Sequence, residues 1–288
     1  SPSPLLFLSS MGKVAFMFLT RAGVHAEELW ADFFRQARAE DFSIYAHTKA
    51  EPPSSSILAG RRIAEIIPTE WGTVSLVRAT LSLLRAAMAD ESNAKFVLLS
   101  ESCVPLYSFA RVLAELHSHD RAWMAHTLSP PHLIHQKGPT REFIRWNKRL
   151  APVVPSPAHL VKQQQWMVFD RAFAASQLQV DYTALWEPPL FAPDEHYFAN
   201  VAVLILRGGS RGKTSPEDDD KLLDKVVVNR RLTFVEWGMV GNGRAPLKLK
   251  EVSPDLIQRA RAEGCLFVRK VAPGADLKTL RQAWDQSS

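Results

Sequence analysis

A short polar turn that follows a buried strand is the first place in this sequence where chemistry is expected. The apolar run Phe96 to Leu99 is typical of a strand covered on both faces, and it ends in Ser100-Glu101-Ser102-Cys103. Open α/β sheets bind their ligands at the carboxyl ends of their strands. A divalent metal held there needs several carboxylate oxygens, and this turn offers a single carboxylate, Glu101. The sequence therefore predicts a ligand site that does not depend on a metal.

Two other features could be taken for metal or redox sites. The acidic run Asp218 to Asp220 follows a polar stretch rather than a strand, so we interpret it as a solvated loop. Cys103 and Cys265 are far apart in the sequence and lack the spacing of metal ligands. We expect both to be free thiols, with Cys103 buried and inert.

The elements that position the turn alternate between strands and helices. The residues at 73–89 show the clearest helical period, because apolar side chains recur every three or four positions. Alternation of this kind predicts an α/β fold with a central, mostly parallel sheet flanked by helices. We predict strands at 13–19, 42–47 and 96–99, and helices at 25–39, 73–89 and 108–116. After His126 prolines become frequent and the periods weaken, which predicts a loop-rich second half.

Composition limits the classes of function. The chain has 288 residues, 46% of them hydrophobic, which is enough for a sizeable core. Its net charge of +5 favours an anionic partner, but the basic residues are scattered and no dense tract indicates nucleic-acid binding. The apolar run Leu5 to Thr20 is interrupted by Lys13 and is too short to span a bilayer, so we expect a leader followed by a buried strand.

Several blocks, in their order along the chain, resemble a known family. They are Trp71-Gly72, the turn from Leu99 to Leu106, Arg145 to Pro155, Gln165-Trp166, Asp170-Arg171, Pro193 to Tyr197, Leu232 to Trp237, and Leu266 to Lys270. Together they resemble the core-2/I-branching β-1,6-N-acetylglucosaminyltransferases, glycosyltransferase family 14, and most of all its plant and algal branch. The resemblance extends over roughly residues 13 to 270.

This resemblance implies a GT-A-like fold in a single catalytic domain over residues 1–288. Residues 1–125 would form the nucleotide-sugar-binding half, and residues 126–288 the acceptor-binding and catalytic half. The implied activity is inverting, metal-independent transfer of a sugar from UDP to a hydroxyl of a glycan or glycoprotein, without a cofactor. In a eukaryote it implies a type II membrane protein of the Golgi lumen, anchored by a segment outside this chain; otherwise a cytoplasmic location is expected.

The resemblance also implies roles for particular residues. Glu195 matches the catalytic base of the family, which removes the proton of the acceptor hydroxyl. The residues alone allow another interpretation, in which Asp194 caps a helix and Glu195 complements the helix dipole. Lys270 matches a lysine that contacts the diphosphate in place of a metal. A second cation would be Arg244, Lys248 or Lys250, and we favour Lys248.

The remaining candidates are contacts to donor and acceptor. On the donor side the resemblance adds Leu19, Thr20, Arg21, His47 and Arg269. On the acceptor side it adds Glu101, Ser102, Arg145, Gln165, Trp166 and Asp194. Core packing of Trp166 and structural support by Arg145 remain open alternatives. A second possible function is a carbohydrate- or nucleotide-binding protein of the same fold without turnover. The sequence leaves the donor sugar, the acceptor and the linkage open.

Overall fold

A computed structural model of the protein describes residues 12–138, 142–208, 215–240 and 243–285. Its strands are β1 (Lys13–Thr20), β2 (Phe42–Thr48), β3 (Asn93–Ser100), β4 (Val104–Pro105), β5 (Ala122–Trp123), β6 (His126–Leu128), β7 (His135–Lys137), β8 (Glu142–Ile144), β9 (Val161–Gln163), β10 (Val168–Asp170), β11 (Val227–Val228), β12 (Thr233–Val235), β13 (Trp237–Val240), β14 (Gly243–Pro246), β15 (Leu249–Glu251), β16 (Phe267–Arg269) and β17 (Val271–Asp276). Its helices are α1 (Glu27–Arg35), α2 (Ser75–Met88), α3 (Phe109–His117), α4 (Pro131–Ile134), α5 (Arg171–Leu178), α6 (Tyr197–Leu206), α7 (Pro216–Leu223), α8 (Pro254–Ala262) and α9 (Lys278–Asp285).

The main sheet has the strand order β11-β5-β10-β3-β1-β2. Strand β1 runs parallel to β2 and β3, whereas β10 is antiparallel to both of its neighbours. The sheet is therefore mostly parallel, as predicted. Because β10 and β11 belong to the second half of the sequence, the two halves share one sheet. A smaller sheet of order β12-β16-β4 lies beside it.

Both faces of β1 are buried, which explains its unbroken apolar run. Successive side chains point to opposite faces of a strand. One face belongs to a core that also contains side chains of α2, α5 and α6, and the other to a core that contains side chains of α1, α3 and α8. The side chains that alternate in this way are Ala15, Met17 and Leu19 on the first face and Val14, Phe16 and Phe18 on the second.

The strands and helices predicted for the first half are confirmed, with small differences in their bounds. Strand β3 extends the predicted strand to Asn93 at one end and Ser100 at the other. Helix α1 is shorter than predicted and ends at Arg35. The second half departs further from expectation, because it contains short strands and the apolar helix α6 rather than mainly loops.

The acidic run Asp218 to Asp220 is helical, so its interpretation as a loop was wrong. Ser215 caps helix α7 by accepting a hydrogen bond from the Asp218 backbone N–H, and the Asp218 carboxylate accepts one from Ser215. Proline suits the first helical position, and acidic residues in the first turn complement the helix dipole. Asp219 is buried in an ion pair with Arg207, which attaches α7 to the end of α6.

Both cysteines are buried free thiols, as predicted. Burial raises the pKa of Cys265 to about 12. Among the described residues, no helix combines the length and the apolar character needed to cross a bilayer.

Candidate functional site

The carboxyl ends of β1, β2 and β3 form one edge of the main sheet. In the strand register Thr20 lies opposite Thr48, and Leu19 lies opposite Ser100. Leu19 and Thr20, both predicted to flank the donor, are buried, whereas the next residue, Arg21, is exposed. Of the three residues at the end of β1 that are predicted to bind the sugar donor, Arg21 is therefore the one whose side chain reaches solvent.

His47 is fully buried near the end of β2. Its Nε2 atom accepts a hydrogen bond of 2.9 Å from the backbone N–H of Ile67, and burial lowers its pKa, so the ring stays neutral. Donor contact by His47 stays a prediction, and its burial leaves little of the side chain accessible. The imidazole holds the segment around Ile67 against β2.

In the polar turn after β3, the side chain of Ser100 contacts those of Ser102 and Cys103. The Ser100 hydroxyl lies 3.1 Å from the Ser102 hydroxyl and 3.2 Å from the Cys103 sulfur. Burial raises the pKa of Cys103, so this thiol stays protonated, as expected of an inert cysteine. Ser102 is buried too, and Glu101 is partly exposed. Of the two predicted acceptor residues in this turn, Glu101 therefore has the more accessible side chain.

Arg269 lies next to this turn, although it is far away in sequence. Strand β16 pairs antiparallel with β4, and Val268 lies opposite Val104. The guanidinium of Arg269 lies 4.6 Å from the ring centroid of Trp166, and its Nε atom is buried without a hydrogen-bond partner in the described part of the chain. The smaller sheet and the Trp166 ring thus place a cation beside the predicted ligand site.

Four groups that can carry negative charge are near enough to Arg269 to affect its pKa. Burial lowers the pKa of Arg269, and the negative forms of Cys103, Glu101, Glu195 and Asp194 act in the opposite direction. These groups come from two distant segments, the turn after β3 and the segment before α6. Arg269 is therefore the point at which the predicted catalytic motif meets the edge of the main sheet.

Glu195 lies in a single 3-10 turn, Pro193–Glu195. The backbone conformation and hydrogen bond of the preceding residue, Ala192, fix where this turn begins. Ala192 has a φ of 53°, in the left-handed region, and its N–H donates to the Gly72 carbonyl over 2.9 Å. The Glu195 side chain is 39% exposed, and its Oε2 atom lies 3.5 Å from the Nζ of Lys162. The carboxylate predicted to be the base is therefore open to solvent and next to a cation.

The alternative interpretation of this motif as a helix cap does not agree with the structure. Helix α6 begins at Tyr197, its N-terminal cap is His196, and Asp194 makes no capping hydrogen bond. The His196 ring is buried, its Nδ1 atom lies 3.0 Å from the Ala192 carbonyl, and burial lowers its pKa to about 3. A neutral His196 thus leaves the carboxylates as the acidic and basic groups of this motif.

Asp194 lies behind Glu195 rather than at the open surface. It is 8% exposed, and its Oδ1 atom has no hydrogen-bond partner within the described residues. Burial raises the pKa of Asp194 to about 7, and the negative charge of Glu195 acts in the same direction. A hydrogen bond from its own backbone N–H and the positive charge of Arg269 lower the pKa in part. Little of Asp194 is accessible to an acceptor, so the prediction of direct acceptor contact is not supported by its position.

Lys270 and Lys248 form a second group of positive charge at the site. The peptide bond between Arg269 and Lys270 is cis, and the Lys270 carbonyl accepts a hydrogen bond of 2.8 Å from the backbone of Leu249. Burial lowers the pKa of Lys270, and the charges of Arg269 and Lys248 act in the same direction. Lys248 is exposed. Of the other two candidates for the second cation, Lys250 is also exposed, and the side chain of Arg244 lies outside the described part of the structure.

Arg145 approaches Glu195 from the acceptor half. It donates hydrogen bonds to the Leu133 carbonyl over 2.7 Å and to Gln136 Oε1 over 3.0 Å. Its guanidinium lies 5.6 Å from the ring centroid of Phe191. Burial lowers the pKa of Arg145, and the charge of Glu195 raises it. Arg145 therefore supports its own loop and also faces the candidate base.

Trp166 is buried, so core packing describes it better than direct contact with an acceptor, but its ring also supports Arg269. The adjacent Gln165 is partly exposed. Sequence reasoning missed Lys162, the residue that lies against Glu195. Its position three residues before Gln165-Trp166 was the available signal, and no property of a single lysine distinguishes it from a surface charge.

We refer to this group of residues as the edge cluster. Its members are Glu101, Arg145, Lys162, Trp166, Asp194, Glu195, Lys248, Arg269 and Lys270. It combines the partly exposed carboxylates of Glu195 and Glu101 with several cations, which suits proton removal from one substrate and binding of an anionic group on another. Within the described ranges, no group of three His, Cys, Asp or Glu side chains is arranged to hold a metal ion.

Comparison with known proteins gives two matches. Residues 14–261 match the family described as Branch, the core-2/I-branching enzyme. The chain is also similar to a rice protein, Glycosyltransferase BC10 of Oryza sativa subsp. japonica. The two are 24% identical over 330 aligned positions, which cover 93% of this chain and 76% of the rice protein. Most of the edge cluster lies within the matched range, and Arg269 and Lys270 follow it.

Proposed function

Because this chain belongs to the core-2/I-branching enzyme family, we propose that it is an inverting glycosyltransferase that transfers a sugar from UDP to a hydroxyl of a glycan or glycoprotein. The observation that carries the proposal is the edge cluster itself. It combines the open carboxylate of Glu195 with the cations Arg269, Lys270 and Lys248 at the carboxyl edge of the sheet. Such an edge is where open α/β sheets bind ligands.

Glu195 is the proposed general base. The proton of the acceptor hydroxyl moves to the Glu195 carboxylate while the hydroxyl oxygen attacks the anomeric carbon of the donor. The bond between that carbon and the diphosphate oxygen breaks, and its electron pair leaves with UDP. A single in-line displacement inverts the configuration at the anomeric carbon. The partial exposure of Glu195 allows an acceptor to reach it.

The cations are proposed to stabilise the departing diphosphate. Burial lowers the pKa of Lys270, and the nearby charge of Lys248 acts in the same direction, so the two positive side chains repel each other. A diphosphate bound between them would relieve this repulsion, because its negative charge pairs with both. Arg269, held against Trp166, would add a third fixed positive charge.

The proposed transfer does not depend on a divalent metal. The turn after β3 contributes one carboxylate, Glu101, whereas a hard cation prefers several oxygen ligands. The family resemblance further supports a GT-A-like arrangement of the sheet and residence in the Golgi lumen. We propose both as parts of the same hypothesis.

A panel of UDP-sugars tests the proposal. UDP-N-acetylglucosamine, UDP-glucuronic acid, UDP-xylose and UDP-galactose are screened by thermal shift, and the donors that bind are incubated with a library of methyl glycosides and O-glycopeptides. We expect one donor to raise the melting temperature and to support transfer, with NMR showing inversion at the anomeric carbon. Binding without transfer to any acceptor, or a product of retained configuration, would contradict the proposed reaction.

A further inference from the structure

Lys162 makes an ion pair with the carboxylate that the proposed function uses as its base. The Nζ atom lies 3.5 Å from Glu195 Oε2, and the two side chains are 35% and 39% exposed. An ion pair between two such side chains is usually weak when nothing fixes its geometry. The question is therefore whether the fold holds Lys162 in place.

Strand β9 is locked to the start of helix α6 on both sides of Lys162. The Val161 N–H donates to Asn200 Oδ1 over 3.1 Å, and Asn200 Nδ2 donates to the Val161 carbonyl over 2.8 Å. On the other side, the Ala199 N–H donates to Gln163 Oε1 over 2.6 Å. These bonds leave the strand little freedom to slide along the helix.

The two amide side chains that form this lock are themselves buried. Asn200 is 2% exposed and Gln163 is 1% exposed. Burial of an amide is costly unless it is hydrogen-bonded, and Asn200 meets this cost by also donating to the His196 carbonyl over 2.7 Å. Because side chains alternate along a strand, inward-facing Val161 and Gln163 leave Lys162 on the opposite side, towards Glu195.

We propose that Lys162 is the positioning residue for the general base, an inference that rests on the proposed function of Glu195. Lys162 holds one carboxylate oxygen, Oε2, and leaves the other free to accept the proton of the acceptor hydroxyl.

Other charged groups also face Glu195, so Lys162 acts within a set. Arg145 and Arg269 lie on its positive side, and Asp194 is the neighbouring carboxyl group on its own turn. Both arginines are held by other partners, Arg145 by the Leu133 carbonyl and Arg269 by the ring of Trp166. Lys162 is the cation in direct ion-pair contact with the Glu195 carboxylate in the described structure.

The test compares Lys162→Met, which removes the charge but keeps the length, with Lys162→Arg, which retains the charge. With the donor and acceptor found in the panel, we expect Lys162→Met to lower kcat about tenfold near neutral pH. The KM for the UDP-sugar should change less than kcat, and Lys162→Arg should restore most of the rate. Lys278→Met, at an exposed position on α9, controls for the loss of one positive charge.

A second measurement does not depend on turnover. In a crystal structure of Lys162→Met, we expect the Glu195 carboxylate to leave the position it occupies here or to adopt several conformations. An unmoved carboxylate together with an unchanged kcat would overturn the proposal. If wild-type protein transfers no sugar, the proposed function fails, and an unmoved carboxylate in the variant crystal would still refute the positioning role separately.

Discussion

The guanidinium of Arg269 lies 4.6 Å from the ring centroid of Trp166. This contact joins two segments that are far apart in sequence, the residues between β9 and β10 and the end of β16. Stacking on a tryptophan face stabilises a cation by about 0.5–2 kcal/mol, more when the pair is removed from water. Trp166 is buried, so we expect the ring to set the position of Arg269 against the surrounding carboxyl groups.

Substitution of Trp166 tests this support. Trp166→Leu keeps an apolar side chain but removes the ring face, and we expect it to lower the free energy of unfolding by about 2–3 kcal/mol. Trp166→Phe keeps a ring and should lose less. Urea denaturation of the two variants measures the difference. Equal losses for the leucine and phenylalanine variants would show that the ring face does not matter.

A second prediction concerns the diphosphate. Lys270→Ala is expected to weaken binding of UDP by about 10- to 100-fold, because a charge-assisted contact to a phosphate group is lost. Binding of uridine, which has no phosphate, should change by less than about twofold. Isothermal titration calorimetry with both ligands measures the two effects.

Two further variants serve as comparisons for Lys270. Lys248→Ala should act in the same direction but more weakly, since its side chain is exposed and solvent screens its charge. Lys278→Ala, on the exposed face of α9, is the matched control for loss of a lysine. Equal losses of UDP and uridine binding in Lys270→Ala would mean that Lys270 supports the fold rather than the phosphate.

Metal removal is a third test. We expect the affinity for UDP and the rate of transfer to stay within about twofold after dialysis against EDTA, because in the proposed mechanism fixed cations replace the divalent metal of other sites. Titrations before and after chelation, at matched ionic strength, provide the measurement. Loss of affinity on chelation, restored by Mn²⁺, would contradict the metal-independent mechanism.

The sequence predicted the first half of the fold well because its signals are local. The buried strands β1 and β3 are unbroken apolar runs, and α2 has a clear helical period. Helix α7 was missed although its start signals were present, with Ser215 as cap and Pro216 at the first helical position. The density of acidic residues was given more weight than these signals, and burial of Asp219 against Arg207 depends on a contact that no local pattern reveals.

The candidate site also has one part that local sequence signals predict and another that depends on tertiary contacts. Short blocks of sequence that resemble the family identified Glu195, Arg269 and Lys270 as candidates, and each block is recognised without knowledge of the fold. The proximity of Arg269 to Glu101 could not be predicted, because it depends on the pairing of β16 with β4. The burial of His47 could not be predicted for a related reason, since it depends on the backbone N–H of Ile67, twenty residues further along the chain, as hydrogen-bond donor to the ring.

The pH dependence of stability gives a fourth prediction. In the folded protein burial raises the pKa of Asp194 to about 7, from an ordinary value of 3.8. Between about pH 4 and pH 7 the folded state therefore binds more protons at this group than the unfolded chain, and its contribution to stability falls as pH rises. We expect Asp194→Asn, which cannot ionise, to be more stable than wild type at neutral pH, by at most about 4 kcal/mol.

The difference in melting temperature between Asp194→Asn and wild type, measured from pH 4 to pH 8, checks this prediction. It should be small at the acidic end and should grow as pH rises towards 7. Taking the difference removes the contributions of His47, His117 and His196, which titrate in both proteins. Glu91→Gln, at an exposed position, controls for removal of a carboxylate. A difference that does not change with pH would mean that Asp194 is ionised in the fold throughout this range.

The last prediction concerns the general base. Glu195→Gln keeps the shape and hydrogen-bonding reach of the side chain but cannot accept a proton, and loss of a positioned base typically slows a reaction by about 10²–10⁴-fold. UDP affinity should change little, because the proposed diphosphate contacts are the cations rather than Glu195. The melting temperature should also change little, because Glu195 is partly exposed and its ion pair with Lys162 is screened by solvent.

Transfer rate, UDP titration and melting temperature are measured on one preparation, with Glu101→Gln as the comparison carboxylate at the same site. A Glu195→Gln variant that transfers sugar at the wild-type rate would end the assignment, whereas a stable variant that binds UDP and transfers none would support it.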